Sequence, residues 1–132
     1  MQALNRELNS LLGTQPGRRV SAVQVSSTSK ALVEASRLDL GRAASSVERY
    51  LLRAPAHCKL SGVYVMDAAF RREGSAGERL AAEMEPRLLE ALSSMTAASD
   101  DDQRATGRVL AEWRKHGLFA AIIDRLERQF EN

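Results

Sequence analysis

Leu60, Tyr64, Asp67 and Arg71 follow one another at spacings of four, three and four residues within the stretch KLSGVYVMDAAFRR. On a helix that spacing puts a phenol, a carboxylate and a guanidinium on one face. The residues around them, Leu60, Val63, Val65, Met66, Ala69 and Phe70, are those of a core segment. An unpaired ionised carboxylate in such surroundings costs several kcal/mol as an order of magnitude. Two readings of Asp67 stay open on residue types alone. In one it pairs with an arginine, either Arg71 one turn on or an arginine of a neighbouring helix. In the other it lies at the lip of a groove and accepts a hydrogen bond from a ligand, a charge-assisted bond worth about 1.5–3 kcal/mol.

A second constellation lies in RATGRVLAEWRKHG, where Arg104 and Arg108 form a basic strip beside Val109, Leu110 and Trp113. The strip reads either as a solvated face, with Arg108 paired to Glu112, or as a phosphate site built on planar guanidinium forks. Residue chemistry alone favours the solvated face. The remaining candidates are weaker. His57, Cys58 and His116 lack the spacing of a structural zinc site, and Cys58 reads as a small buried side chain. GSAG, residues 74–77, lacks the lysine of a phosphate-binding loop and reads as an ordinary loop. Asp100, Asp101 and Asp102 suit the start of a helix better than a metal site. No nucleophile–base pair is recognisable. The expectation is a protein without catalysis, cofactor or metal.

The elements that must position these residues are helical. The chain has 132 residues, 44% of them hydrophobic and only 5% aromatic, so alanine and the aliphatics have to build the core. Its alanine, leucine and arginine favour helix, and no alternating β-branched run argues for a sheet. A net charge of +2 with acids and bases interspersed falls short of a nucleic-acid footprint. The single cysteine excludes an internal disulfide and suits a reducing compartment. The amino-terminal MQALNRELNS lacks the apolar region of a signal peptide, and no apolar run is long enough to span a bilayer. The expectation is a soluble, intracellular protein without a membrane partner.

Punctuation along the chain predicts about eight short helices in one domain, residues 1–132. The first, Ala3 to Leu12, sets Leu4, Leu8, Leu11 and Leu12 on one face. Ser21 caps the second, which runs to about Ser36. A third leads to the break at RAPAH, and the fourth starts near His57 and ends at EGSAGE, with Gly74 in a left-handed position. A fifth covers Glu78 to Glu83, and a sixth begins near Pro86. Asp100 and Gln103 have capping-box spacing for the seventh, which stops at Gly117. LFAAIIDRLERQF makes the eighth. Short helices with short loops point to an all-α stacked solenoid or bundle.

KLSGVYVMDAAFRR also resembles the signature K-(L/V/I)-x-G-(L/V)-Y-V-(I/L)-D-S-I of the CTD-interacting domains, which bind the carboxy-terminal repeat tail of RNA polymerase II. RVLAEWRKHGLF, Arg108 to Phe119, is similar to that family's second signature, R-V-L-x-x-W-x-x-x-G-(V/L)-F, at the expected distance downstream. The likeness spans essentially the whole chain and is closest to members fused to an RNA-recognition module. It implies eight helices in a right-handed superhelix related to VHS and ENTH domains, and a chain that is part of a longer protein. It implies a groove walled by the second, fourth and seventh helices for a peptide of repeat YSPTSPS. Asp67 would accept a hydrogen bond from the repeat's tyrosine, Tyr64 would shape that pocket, and Arg108 would face a phosphate on the second serine. Ser21, Val25, Tyr64, Asp67, Arg71 and Arg108 are the expected peptide contacts, with Arg104 beside Arg108 for phosphate.

There are departures from the family pattern. Ala68 stands where the family has serine, and Ala22, Val23 and Gln24 stand where relatives carry lysines, which leaves more of the phosphate to Arg108 and to Arg18 or Arg19. The implied function is a nuclear, non-catalytic phosphopeptide reader that links transcription to RNA 3'-end processing or termination. RNA would be contacted only through regions outside this chain. The alternatives are a VHS-like trafficking adaptor and a structural scaffold domain.

Overall fold

The computed structural model describes residues 1–72 and 74–131. It is all-helical: α1 (Gln2–Leu11), α2 (Ala22–Leu38), α3 (Leu40–Arg53), α4 (Lys59–Phe70), α5 (Ser75–Ser93), α6 (Asp100–Lys115) and α7 (Ile123–Arg128), with 3-10 turns at Ala56–Cys58 and Ser94–Ala97. From α1 to α3 each helix packs on the next and on the next but one, and α4 packs on both α5 and α6. That is the contact pattern of a superhelical stack. α4 is buried on nearly every side, including Leu60, Val63, Val65, Met66 and Phe70, which is why its sequence lacks an amphipathic stripe.

The close packing of α4 rests on two residues without a side chain. A Cβ at Gly62 would lie 2.9 Å from the Tyr50 ring on α3. One at Gly77, in the first turn of α5, would lie 2.8 and 2.9 Å from the carbonyls of Phe70 and Ala69 at the end of α4. Lys59, at the start of α4, is buried, and its Nζ donates to the Leu51 carbonyl in the last turn of α3. The ammonium thereby meets the negative end of that helix. Ser94 donates to the same carbonyl at 2.9 Å.

Tyr50 Oη donates to the Cys58 carbonyl at 2.7 Å and ties α3 to the turn before α4. Burial pushes the Tyr50 phenol well above its ordinary range, with the Cys58 thiol adding to the shift. The unfolded chain therefore loses this proton first, and the stability Tyr50 contributes falls as pH rises above about 10. Lys59 acts in the opposite sense: burial lowers its pKa, so stability is gained as pH climbs towards the ordinary lysine value. Tyr50→Phe removes the phenol and leaves Lys59 in place. Urea denaturation of both proteins between about pH 9 and 11 is expected to show a shallower alkaline loss in the variant.

Several sequence expectations require correction. The separate fifth and sixth helices are one, because α5 runs from Ser75 to Ser93 straight through Pro86. Proline leaves the Ala82 carbonyl without its helical donor, at a cost of about 3 kcal/mol in a helix interior. Ala82 and Pro86 are both exposed, so water reaches the carbonyl, while Leu80, Met84, Leu88 and Leu92 bury the opposite face. GSAG is not a loop: Gly74, at φ 87°, precedes α5, and Ser75 to Gly77 form its first turn. Glu73, the first residue of the EGSAGE break, lies outside the described residues. Ser99 rather than Asp100 caps α6, accepting from the Asp102 N–H at 3.1 Å, and the Gln103 amide donates to the Ala98 carbonyl at 2.9 Å.

Of the leucines on the first helix, Leu12 is 43% exposed. The eighth helix shrinks to α7, because residues 118–122 leave the helical path and Phe119 takes φ 56°. A left-handed aromatic residue is strained. Here it delivers a ring 5.1 Å from Trp113 and 5.4 Å from Phe70. Two further expectations match the structure. Ser21 caps α2 by accepting from the Gln24 N–H at 3.1 Å, and Gly117, at φ 75°, ends α6. There the Leu118 N–H reaches the Trp113 carbonyl at 2.9 Å and the Gly117 N–H reaches Arg114 at 3.1 Å, the pairing of a Schellman cap.

Candidate functional site

α4 leaves a strip uncovered between α2 and α6 that carries Tyr64, Asp67 and Ala68, with Arg71 just past its end. Two hollows meet there. One, of about 220 Å³, lies between α4 and α6 and is lined also by Arg108, Val109, Glu112, Trp113 and His116. The other, of about 420 Å³, lies between α4 and α2 and adds Val20, Val25, Ser26, Ser29 and Ala68. Tyr64, Asp67 and Arg71 line both, so the hollows form one trough with these three residues on its floor.

Asp67 is held from two sides. Its Oδ1 accepts from the Trp113 indole Nε1–H at 2.9 Å, and its Oδ2 accepts from Arg71 Nη2 at 2.6 Å. The i+4 pairing with Arg71 is thus present. It does not seal the carboxylate, whose side chain keeps 15% of its exposure, while Arg71 is 62% exposed. A carboxylate accepts about four hydrogen bonds, so each oxygen keeps capacity for another, and Asp67 lines both hollows. Tyr64 is anchored in turn: its hydroxyl accepts from Arg19 Nη1 at 3.0 Å, and the same guanidinium nitrogen lies 3.9 Å from Asp102 at the start of α6.

The cations around the trough differ in what they are free to do. Arg71 serves Asp67 and Arg19 serves Tyr64. Arg72 donates to the Ser26 carbonyl at 3.0 Å and to Ser29 Oγ at 3.1 Å, which fastens α4 to α2. Arg104 is paired with Asp101 and lies outside both linings. Arg108 has no ion-pair or hydrogen-bond partner among the described residues, and it is exposed on the rim. The expected Arg108–Glu112 pair is not formed; Glu112 lies 3.6 Å from His116 instead. Ser21 spends its hydroxyl on the helix cap and is not in the lining, whereas Val25 is.

The sequence of the chain matches the family model described as the CID domain over residues 2–126. The chain belongs to the CID family. No curated protein matches it. CID domains are protein-interaction domains that bind the carboxy-terminal tail of RNA polymerase II, and this CID has their all-helical superhelical fold. Within it the signature lysine and glycine, Lys59 and Gly62, serve packing, and the signature tryptophan, Trp113, serves both the core and Asp67. Sequence reading left Trp113 in the core alone, gave Arg19 a share of the phosphate rather than the Tyr64 hydroxyl it holds, and gave no role in the trough to Ser26, Ser29, Arg72 or His116. A donor on Trp113 aimed at Asp67 has no local signal, because the two residues are 46 apart in the chain.

Proposed function

We propose that this CID reads phosphorylated repeats of the RNA polymerase II tail and acts in the nucleus, linking transcription to RNA 3'-end processing or termination. The observation that carries this reading is Asp67, pinned by Trp113 and Arg71 on the floor of an open trough with acceptor capacity to spare. The repeat's tyrosine hydroxyl donates to Asp67 beside Tyr64, and its prolines lie against Val20 and Val25. Arg108, the free guanidinium, takes the phosphate on the second serine of the repeat. Pinning matters because a carboxylate already oriented costs little to immobilise when the ligand arrives. Ala68 contributes a methyl to the wall where a serine would add a hydroxyl, so phosphate recognition falls on Arg108 more than on polar contacts along α4. Ser21 and Arg104 play at most a secondary part in this reading, since neither borders the trough.

An interface of this size binds at about ten micromolar, roughly −7 kcal/mol. In the whole protein we place this CID beside an RNA-recognition module that supplies any RNA contact. Isothermal titration with repeat peptides bearing phosphate at each serine in turn tests the assignment. The second-serine phosphopeptide is expected to bind tightest, and Arg108→Ala to erase about 1.5–3 kcal/mol of that preference. The unphosphorylated peptide should bind wild type and variant alike. No measurable heat from any peptide with a folded sample would remove the tail-reader assignment and leave a scaffold domain.

A further inference from the structure

A separate hollow, of about 410 Å³, lies between α1 and α3 and shares no residue with the tail trough. One wall is α3, with Arg49 and Arg53 one turn apart; the other is α1, with Asn5 and Asn9 one turn apart. Buried Leu8 and partly exposed Leu12 form an apolar floor. Charge is sorted around this cleft. Glu7, the one acid on α1, faces α2, where its Oε1 accepts from Ser27 at 3.0 Å. Glu48, the one acid on α3, accepts from Arg87 of α5 at 2.9 Å. Arg49 and Arg53 are both exposed and have no ion-pair or hydrogen-bond partner among the described residues. Two unneutralised guanidiniums and two amides thus face each other over an aliphatic floor.

We propose that this cleft is a second binding site, for a short acidic peptide segment of a partner protein. Its carboxylates meet Arg49 and Arg53, the amides of Asn5 and Asn9 bond its backbone, and an aliphatic side chain rests on Leu8 and Leu12. Guanidinium forks match carboxylates in geometry, and the floor offers an acidic residue's apolar neighbour a place to be buried. Single-strand binding modules combine a basic groove with open aromatic rings on which successive bases stack. The ring present, Tyr50, is buried with its hydroxyl committed to Cys58. The polymerase tail lacks here what it meets at Asp67, since no carboxylate lines the cleft to receive a tyrosine hydroxyl. The two sites are therefore separate, and the domain can hold the tail and an acidic partner together.

The test is an amide NMR titration of the whole domain with an end-capped peptide of alternating glutamate and leucine. Shifts are expected around Asn5, Asn9, Arg49 and Arg53, with the tail-repeat peptide still binding at full strength. Arg49→Ala with Arg53→Ala should weaken the acidic peptide about tenfold, as expected for losing charge-assisted hydrogen bonds. A glutamine–leucine peptide tests the charge without altering the protein and should produce no shifts. The proposal is overturned if that neutral peptide binds equally well, or if the acidic peptide shifts only the tail trough or nothing at all. It is equally overturned if oligouridylate or the phosphorylated tail repeat occupies the cleft in place of the acidic peptide.

Discussion

Trp113→Ala is expected to cost about 3–5 kcal/mol of stability, a large share of the roughly 5–15 kcal/mol that holds a domain of this size together. Three losses combine at this position. The indole is 1% exposed, so its removal opens a cavity beside Phe70 and Phe119. Its ring is tilted against Phe119 at 5.1 Å and edge-on to Phe70 at 5.5 Å, and aromatic pairs add about 0.5–1.5 kcal/mol beyond area. The strained turn at Phe119 also loses the ring it exists to reach. Chemical denaturation gives the loss directly. Trp113→Phe separates packing from polarity, because it keeps most of the volume but removes the donor to Asp67 Oδ1. Its smaller stability loss should come with weaker tail-peptide binding, as the carboxylate becomes free to turn towards Arg71.

Asp67→Asn is expected to leave the helical circular dichroism unchanged and to weaken tail-peptide binding by about ten- to a hundredfold, the value of a charge-assisted hydrogen bond. The fold tolerates the change because the amide oxygen still accepts from the Trp113 indole. The lost partner, Arg71, is 62% exposed, and ion pairs with so open a member contribute little. Asp67→Ala differs in kind. It leaves the buried indole N–H without an acceptor, so a stability loss of about 1–3 kcal/mol should accompany the loss of binding. Thermal melts and titration calorimetry on both variants distinguish the two roles. Should Asp67→Asn melt the domain, the carboxylate serves the fold and the tail-binding reading loses its centre.

Helices with one apolar face were legible in the sequence, because burial imposes a period of about 3.6 residues on them. Ser21 and Gly117 were legible as boundary residues because capping is local chemistry, settled within a few residues. The misreadings arose where a distant partner overrode a local preference. Pro86 and Gly77 both argue against helix on their own, yet α5 continues because its buried leucines pack on α3 and because only glycine fits against the end of α4. Phe119 leaves the helical path for a ring on another helix. The paired readings of Asp67 could not be separated by spacing, since Arg71 at i+4 and an open trough are compatible and both are present.

By itself the chain's sequence determined the all-α class, most of the core and the two signatures that mark a CID, since all of these are patterns within single helices. The tertiary structure decided which cations are free. Arg19 and Arg72 look like Arg108 in sequence, and each is taken by a partner on another helix, whereas Arg71 and Arg104 are taken by acids three or four residues away in the chain. Charge is a property of a residue, but its availability depends on the groups across the groove.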